Sequence, residues 1–460
     1  VEALLIDQPL VAGMTSAADL TRDGAVLIEN GRISALHQDA REKAAALVHA
    51  GEALRRLDAQ GFWLLPGFVQ THIHLCQTLL RNGPDDLELL PWLQQHVWPG
   101  EAAHTEETLH VSARLGIAEL LSGGTTSILD MGTVRHTDGV FEAAEELGIR
   151  LAGGNALMDD PEHNPPYLLT STAGALAETD RLSRRWHGAA SGRLRFAFCP
   201  RFAISCTHEL LEEVARRARS DGFLIHTHAS ENRTEVNMVR TRTGKPNVVY
   251  LHDTGLCGTH TVLAHVIHVT ADERAILRST GTAVAHCPSS NFKLASGMCP
   301  IPEYREQGIR VSLGADGAPC NDRLDVFTEM RLAALMQKVR SHAGALSAYD
   351  VVRMATIEGA QALGLGSEVG TIEVGKKADL VLLDPSFPHC QPQSWRPDPF
   401  GPIVYSFDRT NVVATLVEGR ICYHRTERPV TTIAPSPVEI ETAVKTLETR
   451  KRKLLSGEEP

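Results

Sequence analysis

The sequence has 460 residues, of which 43% are hydrophobic and 22% charged, with a formal net charge of −11. That length exceeds what one compact core usually serves, and the composition allows a large buried interior, so wholesale disorder is excluded and one large plus one smaller domain is expected. The acidic balance argues against a nucleic-acid backbone as partner, which needs a basic face.

The opening stretch reads as short strands with turns. Ala25-Val26-Leu27-Ile28 and Ile33-Ser34-Ala35-Leu36 flank Glu29-Asn30-Gly31-Arg32, and Asn-Gly between two apolar runs is a strong hairpin signal. The middle, roughly 66 to 366, alternates strands with helices. A helix over 107–122 ends at Gly123-Gly124. Strands are expected at 126–130, 150–153, 195–199, 222–228, 261–264, 283–287 and 311–314, with helices at 141–147, 209–220 and 271–278 between them. Such βα alternation suggests a parallel barrel or a doubly wound sheet, and a strand count near eight favours the barrel, with its active site at the C-terminal strand ends. The stretch 384–402 is rich in proline and reads as a surface loop. Strands at 378–384, 412–417 and 421–423 resemble the opening stretch, so the two termini are expected to pair into one small β domain. A last helix covers 438–453, and its basic run Arg450-Lys451-Arg452-Lys453 reads as a solvated helix end.

The nine cysteines form no Cys-x-x-Cys pair, and their odd, scattered count suggests reduced thiols. There is no apolar run of about 18 residues that would span a membrane. With no signal-like segment at the start, a cytoplasmic protein is expected. The sequence opens on Val1 rather than Met, so a few native residues are expected before it.

The chemistry starts at Pro66-Gly67-Phe68-Val69-Gln70-Thr71-His72-Ile73-His74. On a strand, residues i and i+2 share a face, so His72 and His74 aim at one spot, which suits a metal that prefers nitrogen. The plain alternative is two histidines on a half-exposed strand. Other strand ends shift the balance. His226-Thr227-His228-Ala229-Ser230-Glu231 closes the fifth strand, His265 the sixth, and Asp316 the last. Four strand ends bearing ligand-type residues converge naturally at one barrel mouth.

The order His-x-His, His, His, Asp at the first, fifth, sixth and eighth strands resembles the amidohydrolase superfamily. Within it the chain is similar to the aminohydrolase branch of S-adenosylhomocysteine/adenosine deaminases, guanine deaminases and triazine hydrolases. Supporting matches are His228-Ala229-Ser230-Glu231-Asn232-Arg233, His286-Cys287-Pro288-Ser289-Ser290-Asn291, Leu294-Ala295-Ser296-Gly297, Gly314-Ala315-Asp316-Gly317 and Gly375-Lys376-Lys377-Ala378-Asp379-Leu380-Val381. The resemblance spans essentially the whole chain. It implies a (β/α)8 TIM-type barrel over 66–366, a small β-sandwich from 1–65 with 367–435, and a C-terminal helix and tail over 436–460.

The resemblance also implies a metal held by His72, His74, His228 and Asp316, with Glu231 as proton shuttle and His265 as electrostatic partner of the attacking hydroxide. His228 ranks above His226 because the family spacing is His-x-x-Glu; His226 is expected one step down the same face, and His268 to be structural. A divalent ion, Zn2+ first and Fe2+ second, lowers the pKa of bound water to about 7. Asp316 would take the water proton and Glu231 would protonate a ring nitrogen and then the departing amine. The fourth strand ends in Cys199-Pro200-Arg201-Phe202 without a bridging lysine, so one metal per chain is expected.

For the substrate, Gln77, Arg201 and Phe202 resemble guanine deaminases, where glutamine and arginine bind the base and phenylalanine stacks on it. Arginine can donate a fork to a carbonyl and a ring nitrogen. Asp316-Gly317-Ala318-Pro319-Cys320-Asn321-Asp322 looks instead like the adenosine-type branch. Trp92 and Asn155 are further candidates for the mouth, with Pro91-Trp92-Leu93 and Trp98-Pro99 as a covering loop. The leading expectation is deamination of a purine-like or pterin-like ring, guanine-type first, then an adenosine-type nucleoside, then a triazine losing chloride or amine. A non-catalytic ligand-binding barrel is the rival from another class, disfavoured by the complete ligand set. A small-molecule heterocycle is the expected partner, and family habit suggests a homodimer.

Overall fold

The computed structural model describes residues 3–393 and 398–458. Positions 394–397 of the proline-rich stretch lie outside the described residues; around them, Pro388–Cys390 and Phe400–Tyr405 are short helical turns.

Eight parallel strands occupy the middle of the chain: Phe68–His74, Thr125–Met131, Arg150–Gly154, Leu194–Pro200, Leu224–Ala229, Thr261–His265, Ala283–His286 and Val311–Leu313. Each is hydrogen-bonded to the next in that order. Just past the last, Asp316–Gly317 pairs in parallel with Ile73 and His74 of the first. The sheet therefore curls until its two ends meet, the arrangement of a TIM-type barrel. The first two strands are buried along their whole length, as expected where helices cover the outside and side chains fill the inside. Gly314 permits the closure: a Cβ there would lie 2.7 Å from the His72 carbonyl oxygen and 2.9 Å from its nitrogen.

Helices between the strands start on side-chain caps. Thr270 and Glu273 form a capping box before Ala271–Thr280, and Thr207 caps His208–Asp221. The latter stops at Gly222, in the left-handed conformation that glycine adopts without strain.

The predicted hairpin forms with Ala25–Glu29 against Arg32–Leu36. Asn30 and Gly31 have φ of 51° and 78°, the twist-matched turn that Asn-Gly favours. This hairpin joins Ala3–Asp7 and Leu54–Asp58 in a four-stranded sheet. A second, six-stranded sheet combines Leu10–Ala12, Leu20–Thr21 and Trp63–Pro66 with Leu380–Leu383, Val412–Val417 and Arg420–His424. Strands from the two ends of the chain thus pair directly. One apolar cluster includes Ile6, Val26 and Ile28 from the first sheet and Leu64, Leu380 and Leu416 from the second. The opening stretch is not all strand, however. His37–His49 is a helix, with Ala40 and Ala44 packed on Leu5 and Leu27. Its Arg-Glu-Lys-Ala-Ala-Ala core consists of strong helix formers.

The C-terminal helix runs from Pro437 to Ser456, capped by Ser436 and Glu439. Arg450 Nε donates to the Ala103 carbonyl at 2.7 Å, tying the helix to the segment over the barrel mouth. Among the described residues no helix is long and apolar enough to cross a membrane, and all nine cysteines are free thiols.

A buried ion pair joins the parallel sheet to the terminal strands. Arg150 donates to both carboxylate oxygens of Asp379, at 2.9 and 3.1 Å. Asp379→Ala would leave a guanidinium buried with only Glu418 beside it. It is expected to destabilise the protein by about 3 kcal/mol, read from the urea unfolding midpoint; an unchanged midpoint would show that the pair does not couple the two parts.

Candidate active site

The first strand delivers His72 and His74, the fifth His228, and the segment after the eighth Asp316. One donor atom from each lies within 4.8 Å of the others, and all four side chains are buried. Hydrogen bonds behind the rings decide which nitrogen faces inward. His74 Nδ1 donates to the Met131 carbonyl at 2.8 Å and His228 Nδ1 to the Arg201 carbonyl at 2.7 Å. His226 Nδ1 donates to the Val262 carbonyl at 3.2 Å, which leaves its Nε2 to accept from His72 Nδ1 at 2.7 Å. All three Nε2 atoms therefore point inward as bare lone pairs. Burial lowers the pKa of each ring, that of His74 to about 4.

These lone pairs crowd one point. His74 and His228 Nε2 are 3.2 Å apart, and Asp316 Oδ1 is 3.2 Å from His72 Nε2 and 3.4 Å from His74 Nε2. His72 Nε2 is buried without a hydrogen-bond partner. Four acceptors facing one another are unfavourable by themselves and are the donor set of a divalent cation. Three imidazoles and one carboxylate suit zinc and iron alike.

Glu231 and His265 stand beside this set. Glu231 is fully buried, and its Oε1 has no partner. Burial, and then the nearby Asp316, push its carboxyl well above the usual carboxylate range. His265 Nε2 lies 3.5 Å from Glu231 Oε2 and 3.7 Å from Asp316 Oδ2, while its Nδ1 meets Asn291 Oδ1 at 2.8 Å. Ser230, His265, Val266 and Asp316 all have positive φ, between 48° and 70°. Left-handed backbone at non-glycine residues costs about 1–3 kcal/mol each and persists where the surroundings over-determine it. Here it falls on the ends of three strands that carry site residues.

The wall of the pocket contains Gln77, Trp92, Arg201 and Phe202 together with His74, His228, Glu231 and Asp316. Asn155 is not among the residues lining this space; it is buried beside Thr179, whose hydroxyl approaches its Oδ1 at 3.5 Å. Two of the five N–H groups of Arg201 are engaged within the protein. Its NH1 and NH2 are bound by Glu101 at 2.5 and 3.1 Å. Glu101 also accepts from Gln77 Nε2 at 2.8 Å. Sequence reasoning missed Glu101, which lies in the covering segment and 100 residues from Arg201, with no spacing rule to connect them. His268 is structural as expected, meeting the Ser296 carbonyl at 2.7 Å.

Leu89, Trp92 and Leu93 roof the pocket, on a segment of three short helical pieces ending at Ala102, the middle one a π-helix. The space left beneath is about 20 Å³, room for one water. A heterocycle is larger than this space.

A family model described as the amidohydrolase family matches residues 63–422. A 5-methylthioadenosine/S-adenosylhomocysteine deaminase of Symbiobacterium thermophilum is 40% identical over 92% of this chain and 94% of its own. A 5'-deoxyadenosine deaminase of Methanothermobacter thermautotrophicus is 38% identical over 91% and 93%. Among solved structures, an adenosine deaminase from Xanthomonas campestris with bound zinc superposes with a TM-score of 0.87, at 30% identity and 98% coverage of both chains. The chain belongs to the amidohydrolase family, and it is a metal-dependent aminohydrolase. The comparisons do not support the expected preference for a guanine-type base; the adenosine-type alternative lies closer to them.

His226 touches no inward-facing donor atom, yet it sets the proton position on His72. His226→Leu is expected to weaken metal binding about 10- to 100-fold with the four ligands intact, measured by chelator competition. Unchanged affinity would remove His226 from that role.

Proposed function

We propose that this protein hydrolytically removes the exocyclic amine of an adenosine-type nucleoside, taking up water and releasing ammonia and the corresponding oxo-nucleoside. The observation that carries this reading is Glu231, a buried carboxyl whose Oε1 has no partner, in the pocket wall beside His74, His228 and Asp316, with burial pushing its pKa up. The two relatives named above support the adenosine-type choice, and their names point to 5'-modified nucleosides.

His72, His74, His228 and Asp316 would hold a divalent ion, zinc in view of the zinc-bound neighbour, which when bound would supply the activation of water at neutral pH. Asp316 would take the first proton of the attacking water. Glu231 would donate its proton to a ring nitrogen as the adjacent carbon becomes tetrahedral, collect the second water proton from the new hydroxyl as the carbonyl forms and pass it to the departing amine; the proton on Asp316 would then restore Glu231. His265, facing both carboxylates, stabilises the charge that develops between them. Phe202 and Trp92 cover the planar ring.

A guanine-type oxopurine is the second reading, because Gln77, Arg201 and Phe202 do line the pocket. Against it stand the adenosine-type relatives, while Glu101 takes up two of the five N–H groups of that arginine. The same reading includes a sandwich domain of 1–65 with 367–435, a barrel of 66–366 and a helical tail of 436–460, supported by the apolar cluster shared between the terminal sheets. It also includes a cytoplasmic homodimer, supported by the free thiols and by the exposed Val438 and Leu455 of the C-terminal helix.

The test is ammonia release from S-adenosylhomocysteine, 5'-methylthioadenosine, 5'-deoxyadenosine, adenosine and guanine. At least one of the four adenosine compounds is expected to exceed guanine about tenfold or more in kcat/KM, and Glu231→Gln to lower kcat by about 10²–10⁴ with metal content unchanged. Guanine as the best substrate would reverse the order of the two readings, and an unimpaired Glu231→Gln would overturn the proton-transfer role.

A further inference from the structure

We propose that Glu101 is a positioning residue that fixes the side-chain amide of Gln77, so that the amide carbonyl is left as an unpaired acceptor for the substrate. This rests on the pocket being the substrate site, as read above.

Glu101 is buried at the end of the roof segment, among Arg201 and Gln77. Burial works to raise its carboxyl, but the guanidinium of Arg201 beside it outweighs burial and holds it below the usual range. An ionised carboxylate only accepts hydrogen bonds. The side-chain amide of Gln77 must therefore present its NH2 group, and does so at 2.8 Å. The amide orientation is dictated by its partner rather than open to a flip. What remains is Gln77 Oε1, buried and without a partner. It lies against Gly317, where a Cβ would come within 1.9 Å of it, so this acceptor sits one residue from Asp316. A buried acceptor without a donor is unfavourable until a ligand supplies one.

Arg201 shows the complement. Both terminal nitrogens meet Glu101, and Nε has no partner. The wall thus offers the Gln77 acceptor beside the Nε–H donor of Arg201. The acceptor calls for a donor on the substrate, an N–H or a ribose hydroxyl.

The experiment is a double-mutant cycle on metal-loaded protein, read as KM and kcat on the best substrate of the panel and as its calorimetric Kd in the Glu231→Gln background. Gln77→Leu leaves the Glu101–Arg201 pair intact and is expected to raise KM and Kd about tenfold, with kcat and metal content little changed. Glu101→Gln frees the amide to turn and is expected to raise KM and Kd at least as much. The double variant is expected to match Glu101→Gln within about twofold, because Gln77 acts only when it is held. Losses that multiply in the double variant, or an unchanged KM and Kd in Gln77→Leu, would overturn the proposal. If Glu101→Gln fails to fold by thermal denaturation, Glu101→Asp takes its place in the cycle, with a smaller rise and the same non-additivity expected. Activity persisting in Glu231→Gln would strike the deamination chemistry while leaving this cycle, read in ligand affinity, standing.

Discussion

Four lone-pair donors held together with no proton among them are the constraint on which the rest of the site depends. Left alone, bare nitrogens 3.2 Å apart and a carboxylate oxygen against two of them would separate or protonate. Each ring is fixed from behind by a carbonyl or by His226, and burial disfavours its protonated form. The backbone carbonyls involved belong to neighbouring strands. Barrel closure at Gly314 and the hydrogen-bonded order of the strands therefore set the donor geometry directly. A loop could not impose it, since the repulsion would be relieved by small backbone shifts.

The parallel strands were legible because burial on both faces makes each an apolar run ended by polar residues. His72, His74, His228, His265 and Asp316 were legible because they sit at those ends. Alternation along a strand also placed His226 correctly, one step below His228. Helix 37–49 was not legible: two small alanines suffice to bury its inner face, so the sequence around them carries little apolar period. Glu101 was not legible for a different reason. Its meaning comes from Arg201 and Gln77, brought to it from two other elements by tertiary structure, and on a single sequence it reads as one more acid in a surface segment.

That missing acid changes what the pocket trio means. Gln77, Arg201 and Phe202 taken as a motif point toward an oxopurine, with the arginine as a two-pronged donor. Placed around Glu101, the arginine becomes an internal counter-ion and the glutamine an acceptor of fixed orientation. The residues are unchanged, and the glutamine presents an acceptor where the motif alone would leave its orientation open.

The segment that roofs the pocket reaches the same acid. About 20 Å³ is free beneath Leu89, Trp92 and Leu93, and a heterocycle is larger than that. The two ends of that segment are not equivalent. Trp92 is held by packing alone, since its indole N–H has no partner, whereas Glu101 is anchored by a buried two-point ion pair whose rupture would strand a charge. The segment is therefore anchored by an ion pair at Glu101 and only packed at Trp92, with the π-helical turn Leu93–Val97 between them.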